Sequence, residues 1–255
     1  MIARCFECGG SVEADDLAEL ARVFVDHGKA EHQWEYPEAA VRSYACNYAE
    51  AVERLSDDIE RRGGIGEITI HPVDESRIAD WKRFFDHIGF AGNPDWASCY
   101  CLEPHIQCAA EEPCRPWREI RSKMIDRLLG GRTFGYLAYA RGEPAGWVNA
   151  SMRSEYVIYE VDEEPGVNPS AVIGVSCFVI APPYRRHGVA SALLDRAISD
   201  APSRGAAWIE AYPHNSPDPG EPGHFRGPRS MYDARGFEQI TVREHYTVMR
   251  RRSLS

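Results

Sequence analysis

The 255-residue chain is 44% hydrophobic and 27% charged with a formal net charge of −10, so one large domain, or a medium one with a small companion, is expected. The acid excess speaks against nucleic acid, whose phosphates demand a positive face, and mildly favours a cationic partner such as an amine. The longest apolar stretch, residues 171–181, is far shorter than the about 20 residues a bilayer span needs, so no membrane partner is expected.

The chain opens without a hydrophobic signal core. Its eight cysteines then read as thiols or metal ligands rather than disulfides, and the expected compartment is the cytoplasm. Cys5-Phe6-Glu7-Cys8-Gly9-Gly10 is a Cys-x-x-Cys followed by glycines, which would form a tight turn around a metal. Asp15 or Asp16 can cap the next helix, where Leu17, Leu20, Ala21 and Phe24 recur at helical spacing. His27 lies on the same face, and His32 follows with four residues between. The pattern C-x2-C-x18-H-x4-H has zinc-site spacing at both ends, with a longer centre than the common nucleic-acid-binding fingers. Five residues turn an ideal helix through about 500°, so the two imidazoles should diverge by about 140°. Convergence on one metal requires the helix to loosen or end between them, which Gly28 would permit. The alternatives are a redox Cys-x-x-Cys and unliganded residues.

A second helix over residues 38–55 presents Val41, Tyr44, Tyr48, Val52 and Leu55 to cover the first. Residues 56–66 read as a polar helix end and a Gly linker. Residues 1–60 are therefore expected to form a small acidic helical module. Its core is thin, and a structural Zn2+ on Cys5, Cys8, His27 and His32 would staple it. A docking module or a lid is its expected role.

Beyond the linker, residues 67–71 alternate as a strand should, and Asp74 caps a helix carrying Trp81, Phe84, Phe85 and Ile88. Residues 89–116 read as a loop with Trp96, Cys99, Tyr100, Cys101, His105, Cys108 and Cys114. Buried thiols forming a pocket wall are expected there, with a second metal site as the alternative. A helix from Pro116 to Leu129 stops at Gly130-Gly131. Residues 134–140 and 145–152 form a hairpin, and Trp147, Asn149 and Ser151 on its second strand face the acceptor. An insert, residues 162–169, precedes an apolar strand over residues 175–180.

That strand runs into Pro-Pro-Tyr and then Arg185-Arg186-His187-Gly188-Val189-Ala190, followed by a helix over residues 191–198. Free backbone N–H groups and the helix dipole make this turn an anion site suited to a pyrophosphate. Gly188 would let the backbone approach the ligand. The segment lacks the Gly-Lys-Ser/Thr of a P-loop and the glycines of the dinucleotide fingerprint. A strand over residues 207–212 follows, then a helix over residues 223–234 that ends at Gly236-Phe237 before a terminal strand.

Arg185–Ala190 resembles motif A of the GNAT acyltransferase superfamily, Arg/Gln-x-x-Gly-x-Gly/Ala, and the flanking strands and the Gly-Phe helix fit the same pattern. The resemblance covers residues 66–252. It implies an α/β (α+β) fold: a mixed, mostly antiparallel twisted sheet with helices on both faces, preceded by the zinc-stapled module. It also implies an acetyl-CoA-dependent N-acetyltransferase, with a small-molecule or protein amine attacking the thioester directly. Pantetheine would pair with Phe178, Val179 and Ile180, the pyrophosphate would sit on residues 185–190 (Arg185, Arg186, His187, Gly188, Val189 and Ala190), and a strand N–H would hold the oxyanion. Tyr232 would protonate the leaving thiolate. Glu155 and His214 lead the candidates for the base, ahead of Glu160 and Glu210, with a water chain as the alternative. A non-catalytic acyl-CoA sensor, using the module for protein contacts, is the competing reading. A homodimer stays open.

Overall fold

The computed structural model describes residues 1–91, 96–106, 117–159, 167–216 and 224–253. Two short strands, β1 (Ile2–Arg4) and β2 (Ser11–Glu13), form an antiparallel hairpin whose turn is the Cys-x-x-Cys segment. Helix α1 (Leu17–His32) starts at Asp16, whose side chain accepts from the Glu19 amide at 2.8 Å. Helix α2 (Glu38–Arg61) packs on it, and Leu20, Phe24, Val25, Val41, Ala45 and Tyr48 make a small core of their own. Helix α2 runs six residues past the expected end. Asp58 pairs with Arg61 and Arg62, and Ile59 is buried in the larger core, so this turn is held by tertiary packing rather than released as linker.

Seven strands make the main sheet: β3 (Ile68–Pro72), β4 (Gly135–Ala140), β5 (Glu143–Met152), β6 (Val172–Ile180), β7 (Trp208–Ala211), β8 (Glu238–Val242) and β9 (Thr247–Arg252). Their order is β3-β4-β5-β6-β7-β9-β8, and every neighbouring pair is antiparallel except β6–β7. This is the mixed, mostly antiparallel sheet expected. The parallel pair needs a crossover, supplied by helix α5 (Val189–Asp200).

Helices cover both faces. A Cβ on Gly146 would meet Val189 of α5 on one side. On the other, Trp147 packs against Trp81 of α3 (Ile78–Arg83) and Phe85 of the π-turn that follows. Helix α4 (Trp117–Leu129) begins one residue after Pro116, which lies outside the described residues. The expected helix over residues 223–234 is broken: a 3-10 turn, His224–Arg226, is separated from α6 (Arg229–Asp233) by Gly227, at φ +77°, and Pro228. Proline has no N–H to donate and glycine takes the left-handed turn, so one continuous helix cannot form. Gly223, Glu160, Cys108, Cys114 and most of the insert at residues 162–169 lie outside the described residues.

Candidate functional site

Strands β6 and β7 pair only from Val172 to Val175, leaving Ser176–Ile180 of β6 without a β7 partner. The pairing stops where β7 ends, at Ala211, and the unpaired length of β6 leads to the basic turn. On its other edge β6 carries a bulge: Phe178 opposes Val148 and Val175 opposes Ala150, so Ser176 and Cys177 share the single residue Asn149. A bulge of this kind re-aims backbone N–H groups out of the ladder.

The strand ends in a 3-10 turn, Pro182–Tyr184, and Arg186 and Gly188 then take positive φ, 61° and 83°. Gly188 is the N-cap of α5, so the amides of Val189, Ala190 and Ser191 have no intrahelical acceptor. They border a cleft of about 490 Å³ between this turn and α6. It is lined by Ile180, Arg185, Arg186, Gly188, Met231 and Arg235, among others. Arg186, His187 and Gly188 are exposed. The Arg185 Nε donates to Ile180 O at 3.2 Å, tying the turn back to the strand. Arg235 bonds Asp195 and the Ser191 carbonyl, which fixes α6 against α5.

Tyr232 on α6 is fully buried, and its hydroxyl donates to Arg226 O at 2.5 Å. Burial pushes its pKa well above the ordinary value, with Tyr159 and Cys177 as the neighbouring groups that add to the shift. The hydroxyl thus stays protonated. Tyr159, which no local pattern in the sequence marks, hydrogen-bonds Ser176 Oγ at 2.6 Å and stacks on Tyr212 at 3.7 Å. Three tyrosines separated in sequence, Tyr159, Tyr212 and Tyr246, converge here.

The candidate bases stand apart from Tyr232. Glu155 follows β5, and its Oε2 accepts from Arg127 at 2.8 Å. His214 lies just past β7, its Nδ1 accepting from the Ser216 amide and its backbone bridging Tyr246. Glu210 is 1% exposed between Arg153 and Arg250 and also accepts from Tyr212, so it is a buried ion-pair anchor.

Trp147, Asn149 and Ser151 do lie on the face away from α5, but buried. The Asn149 amide donates to His105 Nε2 at 2.8 Å, and His105 Nδ1 donates to Glu155 O at 2.9 Å. His105 is thereby held in one neutral form, its pKa pushed down to about 4 mainly by burial. It is not grouped with the thiols. Burial pushes Cys99 up to about 12 and also raises Cys101 well above the ordinary thiol value, as inert buried thiols should be.

Among the described residues one group could hold a metal: Cys5, Cys8, His27 and His32, whose ligand atoms all lie within 4.8 Å of one another. The His27 and His32 Nε2 atoms are 3.2 Å apart, and Cys8 Sγ is 3.5 Å from His27 Nε2. Zn–N bonds of about 2.05 Å and Zn–S bonds of about 2.3 Å give tetrahedral edges of about 3.3 Å and about 3.6 Å. These two separations fit that ion. The Glu7 and Gly10 amides donate to the two sulfurs at 3.4 and 3.3 Å, an outer shell that favours thiolate. Cys5 hydrogen-bonds Cys8, which pulls the Cys8 thiol down to about 4 and pushes Cys5 up.

The helix neither loosens nor ends between the histidines. It continues to His32 and closes with Gln33 at φ 52°. The rings converge because each presents Nε2, its far atom, so side-chain rotation overcomes diverging Cβ vectors. Gly28 serves otherwise than expected: a Cβ there would lie 1.6 Å from the Trp34 ring, so glycine is the seat for Trp34, which stacks on Phe6 at 4.5 Å.

No curated protein matches the chain. Among solved structures, a GNAT-family acetyltransferase from Streptococcus pneumoniae is 15% identical, covering 73% of this chain and 99% of its own, with TM-score 0.43. A putative acetyltransferase from Salmonella typhimurium, solved with its cofactor acetyl-CoA, is 14% identical over 72% and 93%, with TM-score 0.43. The ribosomal-protein-S18-alanine N-acetyltransferase from Escherichia coli is 16% identical over 73% and 94%, with TM-score 0.40. The sequence match is more direct: residues 95–218, which hold β4 to β7 with the bulge, the unpaired length of β6 and the basic turn, match the family model of the acetyltransferase (GNAT) family, and the sheet has the mixed fold expected of it.

Proposed function

We propose that the protein is an acetyl-CoA-dependent N-acetyltransferase. The observation that carries this is the length of β6 beyond Val175, unpaired on its β7 side, that leads into a turn whose free amides border a cleft. Phe178, Val179 and Ile180 offer an unpaired strand edge to the pantetheine amides. Residues 185–190 offer amide donors, the α5 dipole and two guanidiniums to the pyrophosphate. The acceptor nitrogen attacks the thioester carbonyl carbon, the C–S bond breaks, and an N–H from the bulge steadies the oxyanion. Tyr232 gives its proton to the departing thiolate. The proton of the acceptor ammonium leaves through water, Glu155 or His214.

Zn2+ bound by Cys5, Cys8, His27 and His32 staples residues 1–60, which form the small acidic module beside the acetyltransferase domain at residues 66–252. The acid excess of that module suits a cationic acceptor, a small amine or a protein amine, and we place the protein in the cytoplasm.

The test is CoA release from acetyl-CoA against a panel of small amines and basic peptides, beside calorimetric acetyl-CoA binding. Amine-dependent CoA release is the expected result. Tight binding with no turnover on any amine would replace the enzyme by an acyl-CoA sensor.

A further inference from the structure

Arg4 belongs to neither the metal cluster nor the cleft. It ends β1, directly before Cys5, yet it is only 4% exposed. Its Nε donates to Gly9 O at 3.3 Å, inside the metal-binding turn. Its outer nitrogens leave the module: Nη1 donates to Phe85 O, and Nη2 to Ala97 O and to the Tyr100 hydroxyl. The guanidinium lies over the Tyr100 ring at 5.0 Å. Tyr100 in turn donates to Asp86, which Arg121 holds. One buried cation thus satisfies carbonyls from three segments: the Cys-x-x-Cys turn, the π-turn after α3 and the loop at residues 96–106.

That loop needs holding. Tyr100 and Cys101 are consecutive non-glycine residues at φ 47° and 55°, a region that side-chain-bearing residues rarely occupy. Cys101 O accepts from the Asn149 amide at 3.3 Å, and Asn149 is the residue that faces the Ser176–Cys177 bulge. On the module side the fit is close: a Cβ on Gly9 would lie 3.0 Å from Ser98 and 3.1 Å from Trp117.

We propose that Arg4 is a positioning residue, which carries the geometry of the metal-bound Cys5–Gly10 turn into loop 96–106 and, through Cys101 O and Asn149, to the β6 bulge. The module is then an internal brace of the acetyl-transfer site. This rests on the zinc reading above.

The test is hydrogen exchange on the full chain, with zinc content and acetyl-CoA affinity measured beside it. In zinc-loaded Arg4→Gln the metal should stay at one per chain and acetyl-CoA affinity should hold within about threefold. Exchange in residues 96–106 should rise at least about tenfold. Chelating zinc from the wild type should raise exchange in the same segment, and chelation of Arg4→Gln should add nothing further there, because coupled sites are not additive. Unchanged exchange in 96–106, additive effects, or a rise spread equally over α5 and β9 would overturn the proposal. A protein that holds no zinc overturns the zinc reading with it, whereas retained zinc with additive effects overturns the brace alone.

Discussion

At the scale of single residues, the chemistry turns on groups whose surroundings fix one protonation state. Tyr232 is buried, bonded to Arg226 O, and raised in pKa, so it can give a proton but does not serve as a standing base. Tyr232→Phe should lower kcat by about 10²–10⁴ and leave the acetyl-CoA dissociation constant unchanged. Thiol release under saturating donor reads the first and calorimetry the second; an unaltered kcat would remove Tyr232 from the mechanism. Gly227 shows how tightly this hydroxyl is set, because a Cβ there would lie 2.7 Å from it. Tyr232 could be singled out from Gly236-Phe237 downstream of it. Tyr159 could not: its role arises from Ser176 and Tyr212, which folding alone brings to it.

At the scale of elements, periodicity and capping suffice where local chemistry decides. Asp16, one of the two aspartates expected to do so, caps α1, and the hairpin β4–β5 and the crossover helix α5 fall within a few residues of expectation. Asp74 caps the 3-10 turn Glu75–Arg77 instead of the helix expected after it, which is divided into that turn, α3 and the π-turn Phe84–Ile88. Helix α2 and the segment around α6 depart from expectation too, because their ends depend on partners or on a Gly-Pro break. The basic turn is the element we propose to hold the donor. Gly188 sits at φ +83°, and a Cβ added there would have no atom within 4 Å. Gly188→Ala therefore meets backbone strain of about 1–2 kcal/mol and puts a methyl at the cleft. Acetyl-CoA affinity should fall by about tenfold or more, equivalent to about 1.4 kcal/mol, while thermal unfolding moves by only a few degrees. Calorimetry giving wild-type affinity would detach this turn from the donor.

At the scale of the molecule, the small and large cores meet through α2, which buries Val41 in one and Ile59 in the other, and through Arg4. Buried polar links of this kind make stability depend on pH. His105 has its folded pKa depressed to about 4 by burial, against about 6.5 unfolded. The unfolded chain therefore binds the extra proton, so the stabilisation is complete above pH 6.5 and is lost as pH falls toward 4. Between pH 7 and pH 5 this one group should cost about 2 kcal/mol. Urea unfolding at the two pH values measures it. His105→Gln should reduce the difference by that amount, and an unchanged difference would show that the ring is not held neutral.

The sequence by itself determined what lies within a few residues of itself: the basic helix start, the Cys-x-x-Cys turn, the caps and the strand–helix–strand order. Local hydrogen bonding and side-chain period set these. Tertiary structure alone decided the bulge opposite Asn149, the convergence of His27 and His32 on two distant cysteines, the stacking of Trp34 on Phe6, and the reach of Arg4 to residues 85, 97 and 100. Each depends on contacts across tens of residues, where burial makes an unpaired polar group costly and so dictates which partners must meet.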